Sequence, residues 1–440
     1  MKKMTLIGTL LLIATCSNAG GLLTNTNQHV AFLRMLSRGA TLQVDGAYYN
    51  PAGTAFLENG FYFSLNGQSA YQTRNIDATF SMFPEGTRHY KGTASVPIMP
   101  SAFMAYKKGD WTLSGFAGMI GGGGKASFDT GLPMFDSKVM AGIYSLSNGL
   151  IKPDVYTISS SMAGKQFIYG AQLGVAYRIN SNLSAYLGGR MNYFSGNYTG
   201  YVTTRLKSND ASLLDIELDC DQTGWGITPI FGLDYKIGRW NIGAKYEMRT
   251  LLNIENTTEK NSDPEGALSD FKDGVNTPND IPAMLSIATS YRFTDRLRAS
   301  VEYHFYDDKH AGMANIPGTN IGKQHALTHG TNEYLAGAEF DLNKTVTVSA
   351  GIQRTDYGLS NNYESDTSFS CDSYSIGFGG AIKLLPKLTM NIAYFWTNYS
   401  DYTKAVEASS TGGYNGTTLV GTNVYSRTNK VFGLGFDYKF

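Results

Sequence analysis

Histidine, serine and metal-ligating side chains are scattered through this sequence without the spacing that catalysis needs. The chain has six histidines, which are His29, His89, His304, His310, His325 and His329. Only His304 falls within a predicted strand, and neither a nucleophile-elbow serine nor a metal-ligand spacing accompanies the histidines. The sequence therefore predicts no enzymatic activity, no metal site and no cofactor.

A glycine run before a lysine superficially resembles a phosphate-binding loop. The run consists of Gly121, Gly122, Gly123 and Gly124. A phosphate loop needs glycine where this chain has Met119 and a hydroxyl residue where it has Ala126, so that function is excluded. Because glycine weakens a strand and permits a bend, the run indicates an irregular strand or flexible chain beside a loop.

Alternating apolar and polar residues run through most of the chain, most clearly over residues 430–440. One face of this stretch carries Phe432, Leu434, Phe436, Tyr438 and Phe440. A period of two indicates a strand between two different environments. Fourteen such strands are predicted between residues 61 and 440, and tight turns alternate with long polar loops. That asymmetry is typical of an outer-membrane barrel, with short periplasmic turns and long external loops.

Charged residues occupy the second face of several predicted strands. Over residues 297–306, Arg298 and Glu302 lie on the face opposite Leu297 and Val301. Charges are costly in a dry core, so these faces indicate a wet or paired interior rather than a soluble β-sandwich. The predicted fold class is all-β: a 14-stranded antiparallel transmembrane β-barrel.

Composition and charge agree with a large barrel. The 440 residues include 50 Gly, 29 Tyr and 23 Phe but only 12 Pro, which favours strands over helices. Lys+Arg and Asp+Glu both number 36, so the formal net charge is zero. No basic face predicts a nucleic-acid partner.

Residues 1–19 have the pattern of a cleaved secretory signal peptide. Two lysines precede an apolar run, and Ser17 and Ala19 suit cleavage after Ala19. A lipoprotein anchored at Cys16 is the alternative, which Thr15 disfavours. No later run of about 18 apolar residues predicts a membrane-spanning helix. The predicted location is the outer membrane of a Gram-negative cell.

Residues 20–60 lack sustained alternation but contain an apolar cluster that includes Phe32, Leu33 and Leu36. A segment with this apolar content more readily fills a cavity than extends into water. A loose periplasmic tail is the alternative.

The order of these features resembles the FadL/TodX family of outer-membrane transporters for long-chain fatty acids and other hydrophobic compounds. The resemblance is carried by Asn50, Pro51 and Ala52 ahead of the first strand, by the fourteen strands, and by the terminal Phe440. It implies a signal peptide (1–19), an N-terminal hatch that plugs the lumen (20–60) and a transmembrane barrel (61–440). It also implies passive uptake of hydrophobic compounds, with long-chain fatty acids as the expected cargo, by a monomer surrounded by outer-membrane lipid and lipopolysaccharide.

The resemblance also implies roles for particular residues. A kink in the third strand, which opens the barrel wall sideways in the family, would lie at Gly121 to Gly124. Ligand would displace hatch contacts at Phe32, Leu33 and Leu36, and loops at 203–223 and 255–280 would capture it, each with a possible short amphipathic helix. A fatty-acid carboxylate requires a cation or amide donors. The candidate cations are Arg34, Arg38, Arg190, Lys245, Arg249 and Arg298. Pairing of these cations with acids of the barrel interior is the alternative.

Two other functions remain open on the sequence, an outer-membrane porin and a lipid-acting outer-membrane enzyme. A plug argues against an open pore, and the lack of a catalytic constellation argues against an enzyme. Cys220 and Cys371 fall in predicted external loops, where oxidation is possible. A disulfide between them and two free thiols are equal alternatives.

Overall fold

A computed structural model describes residues 27–316, 319–410 and 412–440, so the predicted signal peptide lies outside the described residues. Helices are α1 (Val30–Met35), α2 (Gly46–Tyr49) and α3 (Pro133–Leu146), with 3-10 helices at Ala52–Phe56, Pro153–Val155, Ser269–Phe271, Asp308–His310, Lys323–Ala326 and Tyr414–Gly416. Strands are β1 (Gly60–Phe80), β2 (Thr87–Lys108), β3 (Trp111–Phe128), β4 (Tyr156–Arg178), β5 (Leu183–Leu206), β6 (Ser212–Ile237), β7 (Trp240–Glu247), β8 (Asn253–Asn261), β9 (Asn276–Pro278), β10 (Met284–Arg292), β11 (Leu297–Tyr306), β12 (Thr331–Asp341), β13 (Val346–Asp356), β14 (Ser373–Leu385), β15 (Leu388–Tyr399), β16 (Tyr402–Val406) and β17 (Gly421–Lys439). Within the described ranges, no helix is long and apolar enough to cross a membrane.

Fourteen of these strands close into an antiparallel barrel, as the sequence predicted. Around the ring they are β1 to β7, β10 to β15 and β17, and β17 pairs with β1 to close it. The short strands β8, β9 and β16 extend the wall beyond the ring, where β8 pairs with β6 and β16 pairs with β17.

Apolar side chains cover the outside of the ring. On β17, Phe432 is 49% exposed while its neighbour Val431 is 1% exposed, so the aromatic face points outward. Near the short turns, the ring centroids of Trp111 and Tyr177 lie 4.5 Å apart. The ring centroids of Trp240 on β7 and Tyr291 on β10 lie at the same distance. An apolar band with an aromatic girdle matches the hydrocarbon and interfacial layers of a bilayer.

The connections at the outer end of the barrel are shorter in places than predicted. β1 continues to Phe80 and β2 begins at Thr87, while β5 and β6 extend until only residues 207–211 separate them. The helix predicted within 203–223 is therefore wrong, and within 255–280 the 3-10 helix Ser269–Phe271 lies beside β8 and β9. In this upper part of β6 the pattern of the barrel wall is reversed, because Leu214, Ile216 and Leu218 are buried on the inward face while Asp215 and Glu217 lie on the outward face. The stretch therefore lacks the outward apolar face of a membrane strand and was predicted as a loop.

The N-terminal segment (residues 27–59) is buried inside the ring. Helix α1 contacts β12 to β15, β17 and β1, helix α2 contacts β2 and β3, and the 3-10 helix Ala52–Phe56 contacts β2 to β6. Glycines in the wall admit the helix: a Cβ on Gly337 or Gly351 would overlap the carbonyl oxygen of Met35. The segment therefore touches strands on all sides of the lumen.

Candidate functional site

The apolar residues predicted to anchor the N-terminal segment are all buried. Phe32, Leu33 and Leu36 are at most 1% exposed, and Phe32 stacks on Tyr49 with ring centroids 5.4 Å apart. The Tyr49 hydroxyl accepts hydrogen bonds from the backbone N–H of Gln28 (2.9 Å) and of His29 (3.0 Å). These contacts fold the segment back on itself inside the barrel.

Arg38 holds the centre of the segment through a buried ion pair. Its Nε donates to Asp45 Oδ2 at 2.6 Å and its Nη2 to Asp45 Oδ1 at 2.9 Å. Burial raises the pKa of Asp45, but the charge and hydrogen bonds of Arg38 more than offset that effect, so the pKa lies below its ordinary value. The backbone N–H groups of Arg38 and Gly39 donate to Glu302 Oε2 on β11, at 2.7 and 2.8 Å.

Arg34 connects the segment to the opposite wall. It pairs with Glu339 on β12, donates to Ser349 Oγ at 2.9 Å and donates to Asn391 Oδ1 at 3.2 Å. Glu339 also pairs with Arg298 of β11. One buried carboxylate thus compensates cations of both the segment and the wall.

A second cluster surrounds Tyr48 of α2. Glu247 pairs with Arg190 and, at 2.8 Å, with Lys245, whose Nζ also donates to the carbonyl oxygen of Tyr48 at 2.9 Å. The Lys245 Nζ lies 4.5 Å from the Tyr48 ring centroid, a cation–π distance. Arg249 lies beyond β7, is 46% exposed and donates to the carbonyl oxygen of His310.

All six predicted carboxylate-binding cations therefore already have protein partners, in most cases a buried acid. A ligand carboxylate would have to compete with those acids. Their role in ligand binding stays a prediction, and their observed contacts hold the N-terminal segment or the wall.

The Asn-Pro-Ala motif fixes the end of the segment to the wall. Asn50 Nδ2 donates to Asp234 Oδ2 of β6 at 2.5 Å and to the carbonyl oxygen of Thr41 at 3.0 Å. Ala52, which follows Pro51, is fully buried, and its carbonyl oxygen accepts from Ser184 Oγ of β5 at 2.8 Å. The motif is thus a structural clamp between the segment and two neighbouring strands.

An apolar cluster closes the outer end of the barrel. We call it the outer cluster; its members include Ile76, Phe80, Met134, Val139, Met140, Tyr198, Val202, Ile216, Leu218, Leu268, Phe271, Phe369 and Tyr425. A small cavity of about 50 Å³ opens within it between α3, β5, β6 and the loop at Leu268. Lys138 borders this cavity, and burial lowers its pKa to about 8 although Asp366 opposes the shift.

The barrel wall is interrupted between β2 and β3. From the short turn, β2 and β3 pair as far as Ser101 with Gly118, and they pair again from Ser95 with Lys125 onward. Between these two regions, residues 96–100 of β2 and 119–124 of β3 do not pair with each other and form an irregular stretch. We call this stretch the wall gap. Sequence reasoning missed the β2 side, although Pro97 and Pro100 signal it because proline cannot donate to a ladder.

The β3 side of the wall gap is the glycine run singled out in the sequence. Against β4, β3 bulges twice, with Ile120 and Gly123 as the extra residues. Gly122 (φ +94°) and Gly124 (φ +79°) adopt left-handed backbone conformations, and a Cβ on Gly122 would overlap the carbonyl oxygen of Gln166. These positions therefore require glycine.

A cavity of about 100 Å³ lies in the lumen beside the wall gap. Its lining includes Gly122, Val96 and Met99 from the gap, together with Phe395 of β15 and Val431 of β17. The lumen thus reaches the gap from inside.

A wider, charged cavity of about 620 Å³ opens on the side of the short turns, beneath the N-terminal segment. Its charged lining includes Arg292, Arg296, Arg298, Lys344, Lys383, Lys387, Glu339 and Asp341. Arg34 and Glu339 of the buried network form its ceiling, so the segment separates this vestibule from the lumen above.

Cys220 and Cys371 are free thiols, so the disulfide alternative is wrong in this structure. Cys220 lies in β6, where its sulfur accepts from Thr258 Oγ1 at 3.4 Å, while Cys371 precedes β14 and donates to the carbonyl oxygen of Tyr425 at 3.7 Å. Each sulfur is held against its own wall by these contacts.

We expect alkylation of the unfolded chain without reductant to add two labels to residues 20–440. In the folded protein Cys371 should react slowly, because burial raises its pKa to about 12 and only the thiolate is reactive. Mass spectrometry before and after reduction checks this, and an unchanged mass without reductant would show a bridge.

Two inward-facing arginines, Arg74 on β1 and Arg427 on β17, were also missed. The predicted strands ended at Gln72 and began at Thr428, so both arginines were assigned to loops. Their place on inward faces follows from the alternation once β1 and β17 are extended to Phe80 and Gly421.

Solved structures with the same architecture cover nearly the whole chain. A Pseudomonas aeruginosa FadL homologue has a TM-score of 0.68 at 14% identity, over 96% of this chain and 100% of that chain. The Ralstonia pickettii toluene transporter TbuX has a TM-score of 0.57 at 14% identity, over 97% of this chain and 100% of that chain. The P. putida toluene transporter TodX has a TM-score of 0.55 at 13% identity, over 97% of this chain and 99% of that chain. No family model and no curated protein matches the chain. The predicted resemblance is confirmed as a FadL/TodX-type fold.

Proposed function

We propose that this chain, which has the FadL/TodX-type fold, is an outer-membrane protein for passive uptake of hydrophobic compounds. The observation that carries the proposal is a plugged lumen that meets an interruption in the barrel wall between β2 and β3. Such a wall gap leads toward the membrane, where a hydrophobic compound is more stable than in water. We assign the protein no catalytic chemistry.

The outer cluster is the proposed capture site. Burying each methylene of a ligand stabilises it by about 0.8 kcal/mol, so about ten methylenes supply ~8 kcal/mol before binding costs are subtracted. The cavity between α3, β5, β6 and Leu268 is small without ligand, so side chains of the cluster must separate to admit one. A ligand held mainly by apolar contact can also leave.

The N-terminal segment acts as the hatch in this proposal. Its apolar face, around Phe32, Leu33 and Leu36, would shift when ligand reaches the lumen, while the clamp at Asn50 and the Arg38–Asp45 pair keep the segment inside the barrel. No energy source is needed, because the ligand moves down its gradient.

Lateral exit is favoured over exit through the periplasmic vestibule. The vestibule is lined by charges such as Arg296, Lys344 and Asp341, which stay solvated and give an apolar chain no stabilisation. The wall gap has Val96 and Met99 on its inner side and Ile98, 71% exposed, on its outer side. The apolar route therefore runs through the wall.

The cargo we propose is long-chain fatty acids, handled by a monomer embedded in outer-membrane lipid and lipopolysaccharide. Proteins of this fold include a FadL homologue and toluene transporters, so aromatic hydrocarbons are the competing cargo.

Uptake by cells tests the function. Cells that make this protein should accumulate labelled oleate faster than cells that lack it, while entry of a hydrophilic sugar stays unchanged because the segment fills the lumen. Toluene uptake measured in parallel separates the two cargo classes. Faster sugar entry would show a porin instead, and no difference for oleate or toluene would contradict the proposal.

A further inference from the structure

Two arginines face each other across the β1–β17 seam inside the barrel. Arg74 is the direct cross-strand partner of Arg427, and both side chains lie on the inward faces of their strands. Like charges directly opposite each other destabilise a sheet, so this pair costs stability unless an anion lies near it.

The pair lacks the acids that compensate the other cations of the lumen. Within the described residues, Arg74 forms neither an ion pair nor a hydrogen bond, and its Nε is buried without a partner. The Nε of Arg427 is likewise unpaired; its Nη1 donates to the carbonyl oxygen of Phe369 at 3.3 Å, and its guanidinium lies 4.9 Å from the Tyr399 ring centroid. The carboxylate of Glu364 attracts the charge of Arg427 electrostatically but lies beyond ion-pair distance.

The neighbouring cross-strand pair carries two more unsatisfied polar groups. Gln72 pairs with Asn429, and the side-chain oxygens Gln72 Oε1 and Asn429 Oδ1 are both buried without partners in the described part of the chain. Their amide groups can turn an N–H toward an anion. Four adjacent inward side chains thus leave hydrogen-bonding capacity unused at one place.

The position of this cluster suits an amphiphile. Gln72 and Asn429 line the 100 Å³ cavity that reaches Val96 and Gly122 at the wall gap. Ile76 and Tyr425, the next inward residues above the arginines, belong to the outer cluster. A head group at the arginines would therefore lie between the proposed capture site and the proposed exit.

We propose that Arg74 and Arg427, with Gln72 and Asn429, bind the carboxylate of a fatty acid during its passage. The inference rests on the proposed function and specifies its substrate class as amphiphilic carboxylates. Paired guanidinium groups and amides satisfy a carboxylate, and the ligand charge relieves the repulsion between the arginines. Neutral hydrocarbons would gain nothing from the site.

Equilibrium binding of labelled oleate and labelled oleyl alcohol to the purified full chain, at pH 8 in detergent, tests the site. We expect the wild type to bind oleate about tenfold or more tightly than oleyl alcohol, the change expected when a charge-assisted hydrogen bond is made. The double variant Arg74→Met, Arg427→Met should lose this preference and keep its affinity for oleyl alcohol, which also reports correct folding. The double lysine variant should retain most of the preference.

Arg178→Met is the matched control, because Arg178 is 41% exposed at the short-turn end of β4 and pairs with Asp110. It should bind both ligands as the wild type does. Oleate affinity within about twofold of wild type in the double methionine variant would overturn the inference. A wild type that binds oleate and oleyl alcohol equally would also overturn it and leave the proposed function intact, whereas a wild type that neither binds nor takes up either compound would refute both.

Discussion

Deletion of Ile120 and Gly123 together is expected to reduce uptake of hydrophobic compounds to the level of cells that lack the protein. These are the two extra residues of β3 against β4, so their removal gives an unbroken ladder in which Met119 still pairs with Tyr169 and Lys125 with Lys165. A regular β3 can approach β2 more closely over residues 96–100, although Pro97 and Pro100 supply no backbone donor to a ladder there. The proposed lateral exit would then be closed.

The matched control deletes Thr319 and Asn320, two exposed residues of the connection between β11 and β12, and β12 lies across the ring from β3. Both variants should migrate as folded barrels in unheated detergent gels, and oleate uptake should fall only for the deletion in β3. Normal uptake by a folded barrel that lacks the two bulges would show that the exit lies elsewhere.

Replacement of Arg38 by methionine is expected to loosen the N-terminal segment without unfolding the barrel. Asp45 is 1% exposed, and loss of its partner leaves a buried, uncompensated carboxylate at a cost of about 3–5 kcal/mol. Hydrogen exchange of the amides of residues 30–56 should accelerate about 100-fold or more, since exchange reports local opening. Single-channel recordings should show ion conductance that the wild type lacks.

Arg205→Met provides the comparison, because it removes an arginine from a solvent-exposed pair of little energetic value. Its exchange and conductance should equal those of the wild type. If Arg38→Met protects residues 30–56 as well as the wild type does, the ion pair with Asp45 does not hold the segment in place.

The barrel was predictable because alternation is a local property of the sequence. Phe432 and Val431 differ in burial as their alternate positions require, and fourteen such stretches alternate with turns and loops. Strand ends were less predictable. On β1 the apolar residues change from the outward face to the inward face beyond Arg74, where Ile76 and Phe80 are buried, so the predicted strand ended at Gln72 although the hydrogen-bonded ladder with β17 continues to Phe80.

The site was predictable only where one residue type dictates its conformation. The glycine run marked the β3 side of the wall gap because Gly122 and Gly124 need positive φ. The partners of the buried cations could not be read from the sequence, since Arg34 and Glu339 are 305 residues apart and meet only when the ring closes. The unpaired arginines were hidden for the same reason, because Arg74 and Arg427 are brought together by the β1–β17 seam.

The proposed route can be mapped most directly by photo-crosslinking a fatty acid that carries a diazirine on its chain to the protein in intact outer membranes. The route from the outer cluster through the lumen to the wall predicts labelled peptides that contain residues 198–218, residues 96–100 and residues 119–124, with the last two lost in the Ile120 and Gly123 deletion. Label confined to the outer loops, or label on the charged periplasmic vestibule around Arg296 and Lys344 with none at the wall gap, would contradict lateral passage through this barrel.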